Sequence, residues 1–127
     1  MISSKKTTGD RGEDLAVQFL QSNGFAILHR NWRSGRTGEI DIVARKDSVL
    51  IFCEVKRSGY DGDAHPELRV DHRKQSKLAK LAQAYMAQNP CYFESLRFDI
   101  IAVKNHQGRD VIEHLQNAFW PPEGWDR

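Results

Sequence analysis

Only two cysteines occur in 127 residues, and no C-x-x-C spacing joins them. That argues against both a disulfide scaffold and a thiolate zinc site; Cys53 falls in an apolar segment and Cys91 follows Pro90. Five histidines are present, and none stands at the i, i+4 spacing of a helical zinc site. His29 and His114 lie in predicted strands, and His65, His72 and His106 in or near loops. Each is expected to be either satisfied or exposed. No apolar run approaches the roughly 20 residues that cross a bilayer, and Met1-Ile-Ser-Ser-Lys-Lys6 lacks the apolar core of a signal peptide. The expectation is a cytoplasmic protein with no membrane partner. Aromatic residues make up 9% and are scattered, which argues against a stacking platform for single-stranded bases. Internal repeats and low-complexity stretches are absent as well.

What is present suits one globular domain over residues 1–127, with a core from about 9 to 117 and a tail from 118 to 127. Charged residues make up 28% and hydrophobic residues 39%, an ordinary soluble composition. The net charge of +2 is unevenly placed. Residues 30–80 carry twelve basic and eight acidic side chains, while residues 81–127 carry four and six. A positive middle third suits an anionic partner, although a solvated basic helix would look the same.

Apolar periodicity orders the chain as α-β-β-β-α-β-β, a mixed five-stranded α/β sheet with helices on its faces. A first helix runs from about Asp10 to Ser22 on Leu15, Ala16, Phe19 and Leu20, and Asn23-Gly24 stops it. A strand from Phe25 to Trp32 and the loop 34–38 precede a hairpin. Residues 57–70 lack periodicity and read as a long loop, with His65-Pro66 inside it. Asp71 caps a second helix reaching about Gln88, with Leu78, Leu81, Ala82 and Tyr85 inward. Arg73, Lys74, Lys77 and Lys80 are spread over its other faces. Strands from Leu96 to Val103 and from Val111 to about Leu115 close the order. Trp120 and Trp125, in the proline-punctuated tail, either pack on the body, the favoured reading, or meet a partner.

The hairpin carries the chemistry. Glu39-Ile-Asp-Ile-Val-Ala-Arg45 and Val49-Leu-Ile-Phe-Cys-Glu-Val-Lys56 flank the polar turn Lys46-Asp47-Ser48. Side chains two apart on a strand share a face, so Glu39 pairs with Asp41 and Glu54 with Lys56. With Asp47-Ser48 as a two-residue loop, counting outward puts Asp41 opposite Glu54 and Glu39 opposite Lys56. Opposed carboxylates repel across strands, and a hard divalent cation relieves that repulsion. A lysine beside it would orient a water or offset charge on a phosphate. A one-residue slip would separate the acids, and a polar hairpin face with a Glu39–Lys56 surface ion pair is the alternative. Against that alternative, Val49–Cys53 is continuously apolar, as in a central strand covered on both sides.

Asp41, then Glu54-x-Lys56 on a hairpin preceded by a helix, resembles the core of the PD-(D/E)xK nuclease superfamily. Gly9-x-x-Gly12-Glu13-x-x-Ala16, Asn31-Trp32-Arg33, Gly38-Glu-Ile-Asp41-Ile-Val, Phe52-x-Glu54-Val-Lys56, Lys74-Gln75 and Arg97-Phe98-Asp99 resemble more closely the YraN-like bacterial family, itself similar to Holliday-junction resolvases. The resemblance implies a restriction-endonuclease-like three-layer α/β/α core and an endonuclease dependent on Mg²⁺ or Mn²⁺. It implies Asp41 and Glu54 as metal-binding acids, the Val55 carbonyl as a further ligand and Lys56 as catalytic lysine. Glu13 matches an extra helix carboxylate, though a first-turn acid is also favoured by the helix dipole. Gln75 matches a helix position that faces the site, though it also reads as a polar residue one turn before Leu78. Arg57 departs from the arginine expected two residues after the lysine and points to the other strand face.

In that reading Glu39 supports the metal site, and Arg33, Arg36, Arg57, Arg73, Lys74 and Lys77 are the candidate phosphate contacts. The substrate would be DNA, duplex or branched, including repair or recombination intermediates. The partners would be DNA, repair or recombination proteins and, as in resolvase-like relatives, a second copy in a homodimer. Two other readings remain: a non-catalytic nucleic-acid-binding module that keeps the nuclease fold, and a metal-stabilised protein-interaction domain.

Overall fold

The computed structural model of the chain describes residues 8–59 and 70–120. Its elements are α1 (Thr8–Ser22), β1 (Ala26–Arg33), β2 (Glu39–Lys46), β3 (Val49–Gly59), α2 (His72–Gln88), β4 (Ser95–His106) and β5 (Arg109–Phe119). The strands form one mixed sheet in the order β1-β2-β3-β4-β5. β3 and β4 run parallel and the other neighbours antiparallel. A parallel pair needs a long crossover, and α2 lies within it.

The apolar run of β3 explains the layering. Leu50 and Phe52 join a core with Leu78, Leu81, Ala82 and Tyr85 of α2. Ile51 and Cys53 join the opposite core, with Ala16 and Leu20 of α1. Each helix therefore covers one face of the sheet, and β3 is buried on both faces from Leu50 to Cys53.

Local chemistry sets the helix ends. α1 closes in a Schellman motif: Phe25 N–H donates to Leu20 C=O at 3.0 Å and Gly24 N–H to Gln21 C=O at 3.1 Å. Gly24 adopts φ +88°, the left-handed conformation this stop requires. Asp71 caps α2, its carboxylate accepting from Lys74 N–H at 2.9 Å. Asn89 N–H donates to Tyr85 C=O at the other end, just before Pro90.

Several strands outrun the sequence reading. β3 continues to Gly59 because β4 pairs with it from Val49↔Ser95 to Gly59↔Asn105, so the expected loop at 57–70 begins later. Residues 60–69, including His65, lie outside the described residues. β4 reaches His106 and turns on Gln107 and Gly108, both at positive φ. β5 extends to Phe119, which is buried. Trp120 is 72% exposed, so it does not pack on the body as expected; Trp125 lies outside the described residues. No helix among the described residues is long and apolar enough to cross a membrane.

Candidate metal centre

The hairpin adopts the expected register, Lys46↔Val49 through Ile42↔Cys53. The regular ladder ends there. One residue on, the Asp41 carboxylate accepts the Val55 backbone N–H at 2.8 Å. A side chain takes the place of a strand partner, and β2 turns about this point. Ile40 packs in the α2 core and Ile42 in the α1 core, although the two are only two residues apart. In a strand, a residue's N–H and C=O point to the same side, so the Val55 carbonyl faces β2 as its N–H does.

Asp41 and Glu54 line a cleft of about 310 Å³ together with Glu39, Gly38, Arg33, Lys74 and Lys77. Leu78 and Leu81 of α2 form its apolar wall. Glu54 is only 7% exposed. Burial, then the adjacent charge of Glu54, push the Asp41 carboxyl from 3.8 up to about 7. Glu13 and Glu39 add smaller pushes, and the Val55 N–H pulls the other way. Three acids thus act on Asp41. Asp41 and Glu54 are hard oxygen donors, and a carboxylate held against its charge is a group a cation would relieve. Among the described residues no three His, Cys, Asp or Glu side chains form a ready-made metal cage. A cation here would draw on the two carboxylates, the Val55 carbonyl, water and substrate oxygens.

The raised value has a consequence for stability. Asp41 is protonated in the folded chain and ionised in the unfolded chain between pH 3.8 and about 7. Its contribution is nil below pH 3.8, turns unfavourable as pH rises through that window, and is fully unfavourable above it. Asp41→Asn is therefore expected to stabilise the metal-free protein at pH 8 by about 1–3 kcal/mol. The gain should vanish near pH 4. Urea unfolding at both pH values measures it.

The candidate residues divide by position. Lys74 Nζ lies 3.1 Å from Glu54 Oε2. Burial alone would depress the Lys74 ammonium, but its bond to Glu54 and the nearby acid charges outweigh this and raise its pKa. Arg33 Nε lies 3.5 Å from Glu39 Oε1, an ion pair in place of Glu39–Lys56. Lys77 runs across Gly38, where a Cβ would meet its Cε at 2.7 Å. Lys56 is half-buried and makes no ion pair among the described residues. Glu13 is near enough to act on Asp41 but also lies 3.7 Å from Arg30.

Other candidates sit elsewhere. Gln75 does not line the cleft; its amide donates to Val70 C=O at 2.7 Å. Arg57 lies on the α1 face against Gly12, whose missing Cβ leaves room for it. Arg36 and Arg73 are exposed and outside the cleft lining. The inward placement of Lys74 corrects the reading that spread it over an outer face. Its signal was available: Lys74, Leu78 and Leu81 follow i, i+4, i+7, so the lysine heads the apolar stripe.

Asp99 has a different character. It is 1% exposed and sits where the β4–β5 register shifts between Phe98 and Ile100. Arg97 donates to both its oxygens at 3.0 and 3.2 Å, Asn117 N–H donates at 2.9 Å, and His114 Nε2 lies at 2.7 Å. Burial alone would raise its pKa, but these bonds outweigh that and lower it. Asp99 is a satisfied carboxylate that fastens the irregular end of β5, and His114 is accounted for by it. His29 is likewise satisfied, 2.8 Å from the Tyr85 hydroxyl.

Curated relatives align along nearly the whole chain. A protein of Persephonella marina is 41% identical over 111 residues, covering 87% of this chain and 91% of its own length. One of a Parafrankia species is 44% identical, covering 87% and 94%. One of Bacteroides thetaiotaomicron is 41% identical, covering 90% and 93%. All three are described only as UPF0102 proteins. Among solved structures, Pyrococcus furiosus SfsA in complex with Ca²⁺ matches 85% of this chain and 61% of that one, at 11% identity. Its TM-score of 0.34 is too slight to carry an argument. The family model itself spans residues 12–103, and the chain belongs to the uncharacterised protein family UPF0102.

Proposed function

We propose that this protein is a metal-dependent endonuclease hydrolysing DNA phosphodiester bonds, built on a restriction-endonuclease-like core. The observation that carries the reading is the Asp41–Glu54 pair, two acids forced together in a cleft whose other side chains include three cations. A fold selected for stability alone has no reason to keep a carboxylate at a raised pKa beside another acid. Acids at the centre suit a divalent cation, and cations at the rim suit the phosphates of a polyanion. Mg²⁺ or Mn²⁺ bound there would supply Lewis-acid polarisation of the scissile phosphate and a more acidic bound water.

The chain's own residues have separable roles. Asp41 is held by its bond from Val55 N–H and lines the cleft. Glu54 is fixed by burial in β3. Lys56 shares a strand face with Glu54 but stands outside the cleft lining; its proposed role is to hold a water or offset charge that develops on phosphate. Glu39 and Glu13 supply further negative charge behind Asp41. Arg33 and Lys77 would hold flanking phosphates, giving affinity without sequence preference. Branched repair or recombination DNA as substrate, a cytoplasmic setting and a homodimer rest on the sequence resemblance.

The test is a cleavage assay of the purified chain on linear, flapped and four-way-junction DNA, with Mg²⁺, with Mn²⁺ and with chelator. Strand scission in either metal and none in chelator is expected. Salt-sensitive DNA binding without scission in any condition would favour the binding-module reading instead.

A further inference from the structure

Lys74 occupies a place that a bound cation would contest. Its ammonium lies 3.1 Å from Glu54, an acid that is almost wholly buried. A buried carboxylate needs a counter-charge, and in the metal-free chain Lys74 supplies it. The backbone of Lys74 is pinned, because its N–H donates to the Asp71 cap. The side chain is not pinned in the same way: it is 45% exposed, on a flexible four-carbon stem. It can leave Glu54 for the cleft mouth without moving α2.

A divalent ion on Asp41 and Glu54 would set two positive charges beside the Lys74 ammonium. The two cations compete for the charge of one carboxylate, so an ion bound there weakens the hold of Glu54 on the lysine. A displaced ammonium would join Arg33 and Lys77, the other cations lining the cleft. We infer that Lys74 is an exchangeable counter-ion: it neutralises Glu54 until a divalent cation takes the acid pair, and the released ammonium then binds a phosphate of the substrate strand. The inference rests on the metal-dependent reading above. It makes metal and polyanion bind cooperatively, since each provides what the other's arrival requires. Without DNA, the lysine weakens metal binding. With DNA, it gains a new partner and the penalty disappears.

The experiment is calorimetric titration of the full chain with Mn²⁺, comparing wild type, Lys74→Met and Lys80→Met. Lys80 is exposed on the same helix and outside the cleft lining, so it reports the effect of losing one positive charge at a distance. Lys74→Met should bind Mn²⁺ about five- to tenfold more tightly than wild type, and Lys80→Met within about twofold of it. Lys74→Gln serves as a second neutral variant, with thermal melting to verify folding of each. Ca²⁺ should tighten binding of a short DNA duplex to wild type and do so far less in Lys74→Met. Equal or weaker Mn²⁺ affinity in both neutral variants overturns the counter-ion role and leaves the metal site standing. Absence of Mn²⁺ uptake by wild type overturns the inference and the metal-dependent reading together.

Discussion

Exchanging Asp41 for asparagine, or Glu54 for glutamine, is expected to lower kcat/KM for DNA cleavage by about 10³-fold each. Both substitutions keep shape and remove charge. An asparagine at 41 can still accept the Val55 N–H, and a glutamine at 54 still fills its buried place, so loss of folding is not the expected cause. The double variant should be little worse than either single one, because the two acids would serve one ion. Lys56→Ala is expected to lose activity while keeping Mn²⁺ affinity, which separates its role from that of the acids. Single-turnover cleavage of a flapped or four-way-junction substrate, with Mn²⁺ binding measured in parallel, checks all four variants. Full activity in Asp41→Asn would remove the acid pair from the mechanism.

The largest expected loss of stability lies at Asp99, outside the cleft. Asp99→Ala strips Arg97, His114 and the Asn117 N–H of their shared acceptor. Removing one partner from a buried charged cluster costs about 3–5 kcal/mol, a drop of roughly 10–20 °C in Tm for a chain of this size. Differential scanning calorimetry at pH 7 measures it. The pH dependence has the opposite sign to that of Asp41. A lowered folded pKa means that Asp99 stabilises the fold above the ordinary carboxylate value of 3.8 and loses that contribution as pH falls below it. Asp41→Asn should therefore raise stability at pH 8, where Asp99→Asn lowers it. The contrast separates two kinds of buried acid. Asp99 is surrounded by donors, whereas Asp41 has one donor and three neighbouring carboxylates.

The hairpin was legible because its turn is short and polar. With Asp47 and Ser48 as the loop, the period of two carries the register without further information, as far as Ile42↔Cys53. The central position of β3 was legible from its unbroken apolar run. The departure of Asp41 from the ladder was not, because strand alternation has no sign for a side chain replacing a backbone partner. The extra length of β3 depends on β4, a partner 46 residues away in Val49↔Ser95, and no local pattern reports it. The same holds for β5: its register shift needs Asp99, which looks like any acid in a strand. Gln75 and Lys74 differ by about 100° around one helix, so the angle at which α2 docks decides which of them enters the cleft. That angle is set by Leu78, Leu81 and Tyr85 against the sheet. Extending their stripe back one turn leads to Lys74.

The account depends on a cation bridging Asp41 and Glu54. A crystal of the wild-type chain soaked in Mn²⁺, with anomalous scattering recorded above the manganese edge, tests this most directly. A peak within bonding distance of both carboxylates, with the Lys74 ammonium moved off Glu54, is the predicted result. An empty cleft at millimolar Mn²⁺, with Lys74 still on Glu54 and manganese bound only elsewhere, would contradict it.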